Sequence, residues 1–490
     1  MDPHEVAIKR GSRLARPRFL QASCITVRTK TFLRNGSLMK ISLRSTSCLV
    51  GLLLASLSSY AQNDGSAAKG GPIVVLMTID GFPARALKDP RLPMPTLRRL
   101  IANGAHADAM IPINPTVTWP NHTTLITGVD AAVHHVMANG EIEFPNPGGG
   151  PVVKPWVPKD ELVHAPTLYE ALAEKGMTTG QVDWVAIYGA NNVRWQFGEK
   201  PEVGGVIVQD LMAKGVITKD QVEHFSGSPA WHDEVWTDAA IDILTHHTPN
   251  LLLFHLLRTD TLQHEYGALS PAAYSAYAYA DTCLDRLIEA ARAAGLLNRI
   301  TFIIASDHGF GDVKHAIRPN VVLAERHVLT KQNGKDEGGA WFLAEGGETS
   351  LYIRDPALRA KLVPELKTYF SSLPGVEGAF TNEEARAIGL PAVGTTDQAP
   401  DLYLTGSPGY AFWAGQDGPL TQDVNPVAGS HGYRNTDSEM QALFVASGNH
   451  IRAGINLGTI PNLRVAPTIA KLLGVSLPAA KEQPLDAALE

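Results

Sequence analysis

The sequence predicts an α/β protein built on an open, mostly parallel sheet with helices on both faces and an inserted cap region. Three observations carry that expectation. Short runs of apolar and β-branched residues recur in "PIVVLMTIDG", "LLLFHLLRTD" and "ITFIIASDHG", the pattern of strands buried on both faces of a parallel sheet. Helical patterns lie between them, and each run delivers an acid at its carboxyl end: Asp80, Asp260 and Asp307. That edge is where open α/β sheets collect functional groups.

The amino-terminal part reads as a leader. Residues 1–61 hold ten of the 42 basic side chains but only two of the 49 acidic ones, Asp2 and Glu5. Met39 opens "MKISLRSTSCLVGLLLASLSSYAQ", with a basic start, an apolar run from Cys48 to Leu57 and a small-x-small triplet at Ser59-Tyr60-Ala61. These are the parts of a secretory signal peptide. Residues 1–38 are expected to be a misassigned extension, 39–61 the signal peptide cleaved near Ala61, and 62–490 one catalytic domain, periplasmic or secreted. The leader's apolar run is too short to span a bilayer, which takes about 20 residues. No apolar run before Cys48 points to a lipid anchor.

With the leader removed, 32 basic and 47 acidic side chains remain, a formal charge of −15 against −7 for the whole chain. An acidic surface excludes the phosphate-neutralising field of a nucleic-acid coat protein. The absence of an apolar run of about 18 residues argues against a transmembrane anchor. Cys24 and Cys48 leave with the leader, so Cys283 has no partner for an internal disulfide. At 44% hydrophobic and 19% charged residues, the chain can bury a large core.

Further elements follow in order. The stretch 140–233, with "FPNPGGGPVVKP" and scattered Trp residues, is expected to be an insertion covering the site. "SPAAYSAYAYADTCLDRLIEAARAAG" predicts a helix with Ser270 as N-cap, Pro271 just inside and Gly295 as the stop. Near the end, "QALFVASG" reads as another strand and "RVAPTIAKLLGV" as a closing helix.

The candidate chemistry gathers at the strand ends. Asp260 and His264 are four residues apart, which on one helical turn turns a carboxylate and an imidazole to the same side, a metal-ligand spacing. In "SDHG", Asp307 and His308 stand just past a strand, where irregular backbone can aim both at one centre. In "NPTVTWPNHTTLITG", Thr118 precedes Trp119-Pro120 at the start of a predicted helix. There it lies near free N–H groups and the positive end of the helix dipole, which favour an anionic phosphate; it could equally serve as the N-cap. His134, His246, His247, His255 and His315 have no evident partner set and are expected to be structural. Asn121 and His122 are expected to pack or hydrogen-bond beside Thr118.

Taken together, "TIDG", "TWPNH", "HHVMAN", "DTLQH", "SDHG" and "GSHGYRN", in this order, resemble the nucleotide pyrophosphatase/phosphodiesterase branch of the alkaline phosphatase superfamily. The resemblance covers most of residues 72–475 and implies an alkaline-phosphatase-like core. It implies that Asp80, Asp307 and His308 hold one Zn²⁺ and that Asp260, His264 and His431 hold a second, with Thr118 reaching toward both as nucleophile. Asn139 matches the asparagine that hydrogen-bonds a non-bridging phosphoryl oxygen. Trp119 stands where the family often has an aromatic that stacks on a base, with Trp184, Tyr188 and Trp195 as possible companions. Carboxylates and imidazoles suit zinc, whereas magnesium prefers oxygen alone.

The resemblance therefore implies an exported dinuclear zinc phosphodiesterase or nucleotide pyrophosphatase that works through a phosphothreonine intermediate on a small phosphodiester or nucleotide substrate. The alternatives are a phosphomonoesterase or phosphonate hydrolase on the same scaffold, and a non-catalytic zinc-stabilised binding protein. Monoesterase members with a Thr nucleophile hold the extra phosphate charge with a Lys and an Arg; no clear counterpart follows Asn139, which favours diesters. Two departures from the family pattern, Arg434 after "HGY" and His135 in "HHVMAN", bear on substrate preference.

Overall fold

The computed structural model describes residues 71–490 apart from 147, 333 and 334, so the expected leader lies outside the described residues. At its centre is an eight-stranded sheet. Its strands are β1 (Ile73–Ile79), β2 (Gly104–His106), β3 (Thr179–Val182), β4 (Trp195–Phe197), β5 (Leu251–Leu256), β6 (Ile300–Ala305), β7 (Phe444–Gly448) and β8 (Ile455–Asn456). They run in the order β8-β2-β7-β6-β1-β5-β3-β4. Neighbours are parallel except around β7, which is antiparallel to both β6 and β2.

Alternation along β1 divides the core. Ile73, Val75, Met77 and Ile79 point to one face, with helices α1 (Pro95–Ala102), α4 (Pro229–Asp242) and α6 (Pro271–Ala293). Val74 and Leu76 point to the other, with α2 (Thr118–Thr127), α3 (Leu168–Glu174) and α7 (Val465–Leu473). A strand buried on both faces favours apolar side chains throughout, which is why these runs are predominantly apolar. Each fully buried aliphatic side chain contributes about 1.5–3 kcal/mol. The long helix α6 starts as expected, with Ser270 Oγ accepting from Ala273 N–H at 3.2 Å and Pro271 in its first turn. Gly295, at φ +71°, follows its end in the left-handed conformation that favours glycine. Cys283 is free and buried on this helix.

The expected insertion at 140–233 needs correction. Within it, β3 pairs with β5 and β4 with β3, so these residues extend the central sheet. Periodicity could not find them, because "TGQV" and "WQF" are short and mixed in polarity. The larger departure from the sheet comes between β6 and β7. There Gly311–Ile317 pairs with Gly409–Phe412 and Thr421–Ser430, and a separate antiparallel sheet joins Ala340–Glu345, Glu348–Ile353, Leu402–Gly406 and Val376–Thr381 in that order. This segment has its own apolar cluster around Phe342, Leu351, Leu366, Phe370 and Leu404.

Candidate active site

Three adjacent parallel strands end at the site. Asp80 follows β1, Asp307 lies two residues past β6, and Asp260 sits in the first turn of α5 (Arg258–Tyr266), which follows β5. Side-chain-to-backbone bonds lock these ends together. Gly81 N–H donates to Asp307 Oδ1 at 3.1 Å, Thr259 Oγ1 donates to the Asp80 carbonyl at 2.5 Å, and Gln263 Nε2 donates to the Gly81 carbonyl at 2.9 Å. Gly81 turns at φ +64°, where a Cβ would lie 2.8 Å from the Phe310 ring. The Asp-Gly pair is thus required by the turn as well as by the carboxylate.

Thr118 is the first residue of α2, after Val117 as N-cap, so it does not cap the helix itself. Its hydroxyl is 3.4 Å from His308 Nε2. The loop before it is held from both sides: Asn121 accepts from Ile113 N–H and donates to the Pro115 and Val117 carbonyls. Thr116 accepts from His431 Nδ1 at 3.1 Å and donates to the Tyr433 carbonyl at 2.6 Å. His431 arrives at the end of the strand Thr421–Ser430, outside the central sheet, and is nevertheless tied to the threonine loop. Asn139 Oδ1 accepts from Trp119 N–H at 3.0 Å, which consumes a free helix-start donor and leaves the asparagine's Nδ2 available.

The donor set fits a metal. Asp80 Oδ1, Asp260 Oδ1 and Asp307 Oδ2 are buried without a hydrogen-bond partner, one oxygen from each strand-end acid. Buried carboxylates left in that way call for a cation. Burial pushes Asp80 well above the ordinary carboxyl range, and the charges of Asp307 and Asp260 push it further. Burial acts upward on Asp307 as well, but His308, His122, the Gly81 N–H and His255 together hold that acid low. His431 lies well below the ordinary imidazole value because it is buried and next because His308 is beside it, leaving it neutral as a ligand must be.

At this site, two groups of side chains among the described residues bring their ligand atoms within 4.8 Å of one another: Asp80, Asp307 and His308, and Asp260, His308 and His431. The first is the expected triad. In the second, His308 stands where His264 was expected, and the His308 and His431 rings stack with centroids 3.8 Å apart. His264 stays next to the group, with Nε2 3.4 Å from Asp260 Oδ1 and Nδ1 on the Gly429 carbonyl. The i,i+4 spacing is realised on α5 as predicted.

Two buried imidazoles lie behind the acids: His122 hydrogen-bonds beside Thr118 as expected, and His255 was missed as a site residue. His122 Nε2 is 2.9 Å from Thr78 Oγ1, while its Nδ1 is 2.9 Å from the Thr118 carbonyl and 3.5 Å from Asp307 Oδ2. His255, expected to be structural without a partner, lies between Asp80 and Asp183. The available signal was its position in an otherwise apolar strand, "LLLFHL".

The aromatic clamp is not formed by the expected residues. Trp119 is 7% exposed and packs among Val136, Val157, Leu162, Val163, Val185 and Ala186. Trp184 is buried against the His122 ring on one face of the sheet, whereas Trp195 packs toward the opposite face and stacks on His247. Tyr188 alone of the four is exposed. Arg434 lies over the Phe380 ring and His135 faces His164 with ring centroids 4.9 Å apart.

Acids and imidazoles converge at the carboxyl edge of a mostly parallel sheet around unpartnered carboxylate oxygens, an arrangement that could hold a metal ion where open α/β sheets collect functional groups. Type I phosphodiesterase / nucleotide pyrophosphatase is the family description that matches residues 74–434, and the chain belongs to that family. It is accordingly a hydrolase acting on phosphodiester bonds. Among similar proteins, human ectonucleotide pyrophosphatase/phosphodiesterase family member 7 is 23% identical over 436 residues, covering 88% of this chain and 85% of its own. An uncharacterised pyrophosphatase/phosphodiesterase of Schizosaccharomyces pombe is 24% identical over 420 residues, covering 83% and 77%. The fold is similar to that of murine ectonucleotide pyrophosphatase/phosphodiesterase 5, solved as an inactive variant in complex with AMP. That likeness has a TM-score of 0.64 at 18% identity, over 86% of this chain and 100% of the other. No helix among the described residues is long and apolar enough to cross a membrane.

Proposed function

We propose that the chain is an exported, dinuclear zinc phosphodiesterase or nucleotide pyrophosphatase with Thr118 as nucleophile. The observation that carries this reading is the Thr118 hydroxyl, 3.4 Å from the imidazole that is common to both acid and histidine groups. Asp80, Asp307 and His308 would hold one ion, and Asp260, His264 and His431 the other. When bound, the two Zn²⁺ ions supply Lewis acidity, lowering the pKa of the threonine hydroxyl and neutralising charge on the leaving oxygen.

Thr118 Oγ forms a bond to phosphorus as the bond to the leaving alcohol or nucleotide breaks, and its proton passes to solvent. Water then opens the phosphothreonine in a second in-line displacement and regenerates the hydroxyl. Asn139, oriented through Trp119 N–H, directs its Nδ2 at a non-bridging oxygen as charge develops there. Among the described residues, the polar partners of these acids are imidazoles and backbone groups, with no Lys or Arg among them, which supports diesters over monoesters. The nucleotide named with the murine neighbour supports a nucleotide as substrate. Export rests on the signal-peptide pattern of residues 39–61; mass analysis of the exported protein should give a chain beginning near Gln62. The substrate reading is tested by comparing bis-p-nitrophenyl phosphate with p-nitrophenyl phosphate on metal-quantified protein. Higher kcat/KM for the diester is expected, and faster monoester turnover would replace this reading with the phosphomonoesterase one.

A further inference from the structure

Asp80, His255 and Asp183 form a row across three neighbouring strands. Parallel register sets Thr78 beside His255, and Val182 beside Phe254, so Asp80 just past β1, His255 on β5 and Asp183 just past β3 arrive side by side. His255 Nε2 is 3.2 Å from Asp80 Oδ2, and its Nδ1 is 3.1 Å from both the carboxylate and the carbonyl oxygen of Asp183. All three side chains are 2% exposed or less. Both ring nitrogens face oxygen acceptors, so the row is satisfied when His255 donates from each, Nδ1–H to Asp183 and Nε2–H to Asp80.

Asp183 is held in an uncommon shape to do this. Its φ of +53° lies in the left-handed region, and its N–H is anchored to the Phe197 carbonyl at 2.9 Å. That conformation is uncommon for a non-glycine residue. Here it accompanies the presentation of both the carbonyl and the carboxylate of one residue to a single ring nitrogen. An apolar side chain at position 255 would satisfy the strand without burying an acid and an imidazole. The polar row instead ends on one oxygen of Asp80 and leaves the other, Oδ1, unpartnered and 3.5 Å from His308 Nε2.

We propose that His255, oriented by Asp183, is a positioning residue that fixes the Asp80 carboxylate so that Oδ1 faces the metal. Donors behind a ligating group set its orientation, and their removal typically weakens metal binding by about 10–100-fold. The inference rests on the metal reading above and concerns a residue that touches neither substrate nor metal.

The test titrates Zn²⁺ into metal-free wild type, His255→Phe, His255→Gln and Asp183→Asn against a chelating indicator, with the melting temperature of each metal-free protein measured alongside. Phenylalanine fills the ring's space without a donor, and glutamine restores an N–H close to the Nε2 position. The expected result is two sites in wild type, with one weakened about 10–100-fold in His255→Phe and largely recovered in His255→Gln. Asp183→Asn should weaken the same site by a smaller factor, and it supplies the answer if His255→Phe does not fold. Wild-type affinity at both sites in His255→Phe, or in Asp183→Asn where that variant stands in, would overturn the proposal even if melting temperature fell, because only a packing role would remain. A wild type that takes up no Zn²⁺ would instead remove the metal reading itself and this inference with it.

Discussion

Trp119 donates its backbone N–H to Asn139 Oδ1 at 3.0 Å, so the residue after the candidate nucleophile orients the amide proposed to stabilise the phosphoryl oxygen. One hydrogen bond therefore links the two groups in position. Replacing Asn139 with Ala removes a donor aimed at developing charge, a loss of about 10²–10³-fold in kcat by the measure of oxyanion-hole deletions. Steady-state kinetics on a diester should show the fall mainly in kcat. Asn139→Asp keeps the acceptor for Trp119 and loses the donor, so it should fare no better than Ala; activity near wild type in either variant contradicts the role.

Removal of metal should be visible in stability as well as turnover. Asp80, Asp260 and Asp307 each leave an oxygen unpartnered toward the same region. Chelation should lower the melting temperature, and added Zn²⁺ should raise it, by an amount equivalent to about 2.7 kcal/mol at a hundredfold excess over Kd. An unchanged melting curve in chelator would count against a cation among these three acids.

His134 provides a pH test away from the metal groups. Val136 N–H donates to its Nδ1 at 3.1 Å, so the ring proton belongs on Nε2, 3.2 Å from Thr124 Oγ1. Burial, with His135 nearby, pushes its pKa down to about 3. Because the folded value is depressed below the unfolded value of about 6.5, its contribution is intact above that pH and is lost as pH falls toward 3, by about 1.4 kcal/mol per unit. Urea unfolding of wild type and His134→Gln at several pH values between 7 and 4 isolates this slope, since other titrations are common to both. The variant should lose stability less steeply on acidification; equal slopes would contradict a neutral buried His134.

Strand ends and helix starts were legible because their physical demands are local. A continuous apolar run marks a doubly buried strand, an acid after it marks the functional edge, and Ser270-Pro271 marks a helix start. The residues of the site that came from motifs, including Thr118, Asp307 and His308, converge as their neighbouring strands require. What could not be read depends on contacts between distant segments. His255 becomes part of the site only when β3 and β5 pair, and β3 itself is too short to announce its place in the sheet. His308 lies in both groups because Thr118 at the start of α2 and His431 just past Thr421–Ser430 both meet its ring, contacts that i,i+4 spacing at Asp260 and His264 does not encode. Gly309 illustrates the same point. Its φ is ordinary, yet a Cβ there would lie 2.0 Å from the Glu439 carbonyl oxygen, so the glycine of "SDHG" answers to a segment 130 residues away.

Thr118→Ala removes the attacking oxygen and leaves every candidate acid and histidine ligand in place. Metal content and diester turnover should be measured on the same preparation. The variant is expected to retain its metal while kcat falls by about 10³-fold or more, since covalent catalysis loses its attacking oxygen. A metal-loaded Thr118→Ala protein that hydrolyses the diester within a few-fold of the wild-type rate would contradict nucleophilic attack by Thr118.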